Sequence, residues 1–293
     1  MKKVLVIIAA AAVLSACERE LPYMGYDIAD DTTTFDGESA KILTFHTQGG
    51  WSTPTFTRAT SVSESDMTDV WVLDYMDGVL MQQIHQTSSD ADWGHPQMTF
   101  VYGEHEVYFV ASRGLGATLN TDYDKITWTG PRDTFWRKYE LTVDEMTAGN
   151  HIIQMDRCCT RLRVTINDEV PAELDYVIIT PATWYYGLNY ITGEAVDDVS
   201  GEGREISVPA TYIGTSGQLT LSIFGMSSAT EWATNITVAE CDADDNILGS
   251  VSIANAPFKA NRTTEYSGTL FNNNKTFTLT LNDEWADPYQ DTW

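Results

Sequence analysis

Few residues of this chain have the types and spacing that chemistry needs. Its five histidines stand at 46, 85, 95, 105 and 151, and none forms the HExxH pair that holds a hydrolytic zinc. In "GEHE" (103–106) His105 lies between two carboxylates at an expected turn and reads as surface polarity. "DADDN" (242–246) imitates the opening of a calcium loop. However, Ile247 stands where the sharp turn needs Gly, and Ile253 where a bidentate Glu is required, so a hairpin turn explains it better. There is no GxSxG, P-loop or GxGxxG. Asp and Glu total 42, so a glycosidase pair cannot be singled out by spacing. Cys158, Cys159 and Cys241 show neither CxxC nor metal-ligand spacing. Cys158 shares the strand phase of Leu162, Val164 and Ile166 and reads as a small core residue, with a Cys158–Cys241 bridge as the alternative. The expectation is therefore no catalytic residue, no metal and no cofactor: a protein that is not an enzyme.

The elements that would position anything else begin at the N-terminus. Lys2 and Lys3 precede an apolar run, 4–13, too short to span a bilayer. "LSAC" follows, placing Cys17 where a signal peptide would be cut. This motif resembles the bacterial lipobox, which implies removal of residues 1–16 and diacylation of Cys17. Residues 17–39 are polar, acidic and aperiodic, and read as a tether. Net charge is −25, which disfavours nucleic acid and anionic membrane surfaces and suits solubility outside a cell. Hydrophobic residues make up 43%, enough for a globular body.

From residue 40 onward period-2 alternation dominates. "AKILTFHT" (40–47) alternates, 68–86 reads as a hairpin turning at Asp77 and Gly78, and 98–112 reads as a pair around Gly103. Further strands are expected at 124–130, 135–143, 161–168, 173–181, 205–209, 217–226, 234–254 and 263–271, with a short helical turn at 144–149. The last run, 276–281, directs Phe277, Leu279 and Leu281 one way and three threonines the other. Such a chain is all-β, and it holds too many strands for one sandwich. The expected division is 40–155 for an N-terminal sandwich and 156–293 for a C-terminal one ending in an acidic aromatic tail. The connection is short enough for the two to pack together.

Several strings resemble the fimbrillin-like lipoproteins of Bacteroidales-type bacteria. They are "TFTRAT" and "DVWVLDY" within 55–75, "RCCTRLRVTINDEVPAELDYVIITP" (157–181) and "APFKANRTTEYSGTLF" (256–271). The resemblance implies two tandem transthyretin-like, Greek-key β-sandwiches. It also implies a surface lipoprotein of the outer membrane that becomes a fimbrial subunit by protease-triggered donor-strand exchange. An Arg-specific protease cuts after the first strand, the lipidated strand leaves, and a strand from another copy or a related subunit fills the groove. Arg58 is the only Arg between Arg19 and Arg113, in a Gly-, Pro-, Ser- and Thr-rich stretch expected to be an exposed loop. The bond between Arg58 and Ala59 is thus the candidate processing site, with Lys41 a poorer one inside a strand. Leu43 and Phe45 mark the strand to be displaced, and Phe277, Leu279 and Leu281 mark the donor strand. That donor run belongs either to its own sandwich or to a neighbour's. The alternative function is a glycan-binding surface lipoprotein using "ATWYYGLNY" (182–190), with Trp184, Tyr185, Tyr186 and Tyr190 as the platform for a host or bacterial surface ligand.

Overall fold

The computed structural model describes residues 32–35, 38–48, 67–272 and 275–282. The architecture is all-β, as expected. Its first half contains β1 (Thr32–Phe35), β2 (Glu38–Gln48), β3 (Asp69–Met76), β4 (Val79–Thr87), β5 (Gln97–Val101), β6 (Gly103–Ser112), β7 (Thr118–Asn120), β8 (Lys125–Thr127), β9 (Thr134–Val143), β10 (Asn150–Gln154) and β11 (Asp156–Arg157). Its second half contains β12 (Cys159–Ile166), β13 (Tyr176–Pro181), β14 (Tyr185–Asn189), β15 (Ala195–Asp198), β16 (Arg204–Ser207), β17 (Leu219–Met226), β18 (Trp232–Cys241), β19 (Ile247–Phe258), β20 (Thr263–Thr269) and β21 (Thr276–Asn282).

In the first half a five-stranded sheet, β11-β9-β6-β3-β4, faces a smaller sheet built on β2. The β3–β4 hairpin closes at Asp77 and Gly78, with φ of 51° and 76°. Positive φ at both turn residues gives the mirror-image turn whose twist matches paired strands. In the second half β17-β12-β20-β21 and β16-β13-β18-β19 are the two sheets. Alternation along each strand sends one set of side chains between them. Leu162, Val164 and Ile166 from β12 meet Val177 and Ile179 from β13 and Ile236 and Val238 from β18.

The two halves are joined by more than the chain. β7 and β8 from the first pair with β14 and β15 from the second in one sheet, β15-β14-β8-β7, with Ile126 opposite Leu188. Around it lies a shared core of Trp71, Tyr108 and Trp128 with Cys159, Tyr190 and Phe224. This explains why β3 is buried on both faces instead of alternating: Val70 and Val72 face their own sandwich, and Trp71 and Leu73 face the other half.

Four expectations are corrected. The stretch read as an aperiodic tether contains β1, a β-prone Thr-Thr-Thr-Phe run that pairs with the start of β2. Residues 144–149 form a turn, not a helix, with the Thr147 amide donating to the Asp144 carbonyl at 3.2 Å. His105 lies inside β6 and is 3% exposed. Cys158, Cys159 and Cys241 are buried free thiols, so Cys158–Cys241 is not a bridge. Cys158 precedes β12 and Cys159 opens it, and both pack in the core shared by the two halves and not with Leu162, Val164 and Ile166. Burial pushes both thiols well up from the usual range and leaves them unreactive.

Candidate functional site

β2 is the spine of the small sheet. Its residues 40–44 pair antiparallel with β5, and its residues 44–48 pair parallel with β10. Among the described residues neither β5 nor β10 has another ladder partner, and β1 pairs only with β2. Alternation directs Lys41, Leu43, Phe45 and Thr47 inward. Leu43 and Phe45 are fully buried. The Phe45 ring meets Phe100 of β5 and Phe109 of β6 edge-on, at 5.6 and 5.2 Å between centroids. The Lys41 ammonium reaches the Glu145 carbonyl at 3.0 Å, which removes that lysine from any protease. Backbone bonds continue beyond the ladders: the Phe45 amide donates to the Pro96 carbonyl at 3.0 Å and the Thr47 amide to the Gly94 carbonyl at 3.2 Å.

The walls beside β2 have their own anchors. The His105 Nδ1–H donates to Asp74 Oδ1 at 2.8 Å, and its Nε2–H donates to the Val101 carbonyl at the end of β5 at 2.9 Å. A carbonyl can only accept, and the carboxylate accepts too, so both ring nitrogens carry protons and the ring is an imidazolium. Burial pulls the His105 pKa down, but the hydrogen bond and charge of Asp74 and the bond to Val101 outweigh it, and the net direction is up. Gln82 adds a second tie, donating to Asp74 Oδ2 at 2.9 Å and to the Thr99 carbonyl of β5 at 2.6 Å. β5 is thereby fastened to the large sheet independently of β2. On the other flank, Ile153 of β10 is in the core, and the Tyr139 hydroxyl meets His151 Nδ1 at 3.1 Å. Removing β2 from this arrangement leaves a strand-wide gap with an unpaired edge on each side and a bared apolar floor.

Asp74 and His105 were missed by motif reasoning, although a signal existed. Asp74 is in phase with Val70 and Val72, and His105 with Val107, Phe109 and Ala111, so both occupy inward positions.

β21 completes its own sheet. It pairs antiparallel with β20, Phe277 opposite Gly268 and Leu279 opposite Tyr266, and has no second neighbour among the described residues. Phe277 packs partly on the second core, while Leu279 and Leu281 remain 42% and 43% exposed. Gly268 is required there, because a Cβ would lie 1.8 Å from the Thr276 carbonyl oxygen.

The aromatic platform is not a surface. Trp184 is 1% exposed, donates Nε1–H to the Phe224 carbonyl at 2.8 Å, and packs edge-on against Phe258. Tyr190 is fully buried between the halves, its hydroxyl 2.8 Å from that of Tyr75, and Tyr186 is 8% exposed. Tyr185 is half-buried against Trp232. Trp184 and Tyr186 thus belong to the core of the second sandwich, and Tyr190 to the joint between the halves. In the acidic turn, Asp242 accepts from the amides of Asp244 and Asn246 at 3.0 and 2.9 Å, a turn-forming use of the carboxylate. Cys17, Arg58 and Ala59, and the aromatic tail beyond residue 282, lie outside the described residues.

No family model and no curated protein matches the chain. Solved structures do. A candidate cell adhesion protein of Bacteroides ovatus superposes with a TM-score of 0.51 at 14% identity, covering 83% of this chain and 98% of that one. A structure of candidate polysaccharide binding proteins from Bacteroides thetaiotaomicron gives 0.50 at 11% identity, covering 83% and 96%. A C-terminally truncated tip fimbrial protein of Porphyromonas gingivalis, Mfa3, gives 0.46 at 10%, covering 83% and 99%. At such identities the likeness is one of fold alone.

Proposed function

We propose that this protein is a structural subunit of a surface fimbrium, exported as a lipoprotein on Cys17, processed by an Arg-specific protease between Arg58 and Ala59, and polymerised by strand exchange. One observation carries the proposal: among the described residues β2 is the sole ladder partner of both β5 and β10, and it plugs the core with Leu43 and Phe45. A cut after Arg58 severs β1 and β2 from the remainder of the chain, so the whole hairpin can leave together with the lipid. What remains is a bounded slot, and a slot holds a strand better than an edge does. Burying Phe277, Leu279 and Leu281 is worth about 1.5–3 kcal/mol each, and ordering each backbone residue costs about 1–2 kcal/mol. These terms nearly cancel, so the second ladder, at about 0.5–1.5 kcal/mol per hydrogen bond, decides the outcome. β21 has one ladder and two half-exposed leucines at home, and the slot of another copy supplies what it lacks.

Limited digestion with an Arg-specific protease tests this. The expected result is one early cut after Arg58, loss of the fragment containing residues 40–47, and ladders on a non-denaturing gel. Replacing Leu279 and Leu281 by Asp should abolish the ladders and leave the cut unchanged. Clipped protein that retains residues 40–47 and stays monomeric would exclude the proposal.

A further inference from the structure

The outward face of β2 carries a second feature, a pair of imidazoles that joins the strand to both of its flanks. His46 Nδ1 lies 2.9 Å from His95 Nδ1, with the rings inclined at 62° and their centroids 4.8 Å apart. His95 belongs to the turn that leads into β5, and its amide is held by the Asp92 carbonyl at 2.9 Å. The other nitrogen of His46, Nε2, lies 3.2 Å from Asn150 Oδ1 at the start of β10. The amide oxygen is an acceptor, so His46 carries its proton on Nε2 and turns the Nδ1 lone pair toward His95. Ligating histidines show this same preparation: the far N–H is held by an oxygen, which fixes the tautomer and aims the near nitrogen.

We propose that His46 and His95 form a bis-imidazole site for a late first-row divalent cation, Ni²⁺ or Cu²⁺ before Zn²⁺, and that the bound metal clamps β2 in place. The separation is that of a chelate. With metal–nitrogen bonds of about 2.0–2.1 Å, two nitrogens 2.9 Å apart subtend about 90° at the metal, the cis angle of square-planar and octahedral centres and tighter than a tetrahedral one. Without metal, one proton on His95 Nδ1 bridges the pair. Binding requires only that His95 carry that proton on Nε2 instead, where the exposed side of the ring meets water. Both lone pairs then converge. Among the described residues no third His, Cys, Asp or Glu joins the group, so water completes the coordination and the metal stays exchangeable. The site has one ligand on the strand that leaves and one on a wall that stays, with the orienting Asn150 on the other wall. Metal release would thus precede strand release, an extension that rests on the strand-exchange reading above.

The test uses untagged, uncut mature protein and NiCl₂. Ni²⁺ should raise the melting temperature by a few degrees, reversibly with EDTA, because a ligand bound only to the folded state stabilises it. His95→Ala and His46→Ala should each abolish the shift, and His85→Ala, whose ring bonds Asp69 and stacks on Trp71 instead, should keep it. No shift in the wild type, or an equal shift in His95→Ala, overturns the site. After cleavage at Arg58, Ni²⁺ should slow loss of the fragment containing residues 40–47 about tenfold in the wild type and not in His95→Ala. A thermal shift without that slowing overturns the clamp. If the clipped fragment never leaves, with metal or without, strand exchange fails and the thermal shift alone still judges the metal site.

Discussion

β2 and β21 are written in the same pattern and occupy opposite situations. Each alternates apolar and polar residues over a strand's length. Yet Phe45 is fully buried between two ladders, while Leu279 sits 42% exposed on a single ladder at the rim of a sheet. Alternation says which face turns inward. It does not say how many neighbours the strand has, and the neighbours set what the strand contributes to stability. The molecule thus holds an apolar plug where loss is expensive and an apolar strip where loss is cheap, an asymmetry suited to giving up the first and lending out the second.

The largest expected effect is at the plug. Phe45→Ala should destabilise the N-terminal sandwich by about 3–5 kcal/mol in urea titration; a loss below about 1 kcal/mol would erase the contrast with β21. The wall beside the plug comes next. The His105 pKa is raised in the folded state, so its contribution to stability is complete below the unfolded value of about 6.5 and is lost as pH rises through the raised value. Urea midpoints of the uncut protein should therefore fall on going alkaline through that window, and His105→Gln should flatten the fall as well as lower stability throughout. At the other strand, Gly268→Ala should push β21 off β20, costing about 1–3 kcal/mol. Amide exchange should then show protection lost over residues 276–282 and kept over 40–47. The smallest effect is expected for Leu279→Ala, under about 1.5 kcal/mol because the side chain is only partly buried. A larger loss would mean that the strip is packed more firmly than an edge allows.

Much of this was legible in the sequence for physical reasons. Asp77 and Gly78 announce a mirror-image turn, and the alternation of 40–47 and 276–281 announces both key strands. What was not legible depends on partners far away in the chain. β7, β14 and β15 are three to five residues each, too short to show a period, and their sheet exists because β14 pairs with β8 across the two halves. Trp184 and Tyr190 look the same in a string of letters whether they face water or a packed interior. β1 is four residues long and follows from β2 being there to pair with. His105 is the instructive miss. A histidine flanked by two glutamates suggests a wet turn, but the strand phase that runs through Val107 and Phe109 already assigned it to the interior.

The ladder between β8 and β14 has a mechanical consequence. The covalent link between the halves is a single stretch at Cys158, and alone it would behave as a hinge. With Ile126 held against Leu188, and Tyr75 bonded to Tyr190, a second attachment joins the halves through the core that also holds Cys158. Two attachments resist bending where one permits it. Under tension applied to its two ends, the molecule would carry the load through its waist as a stiff rod does and not fold at the link.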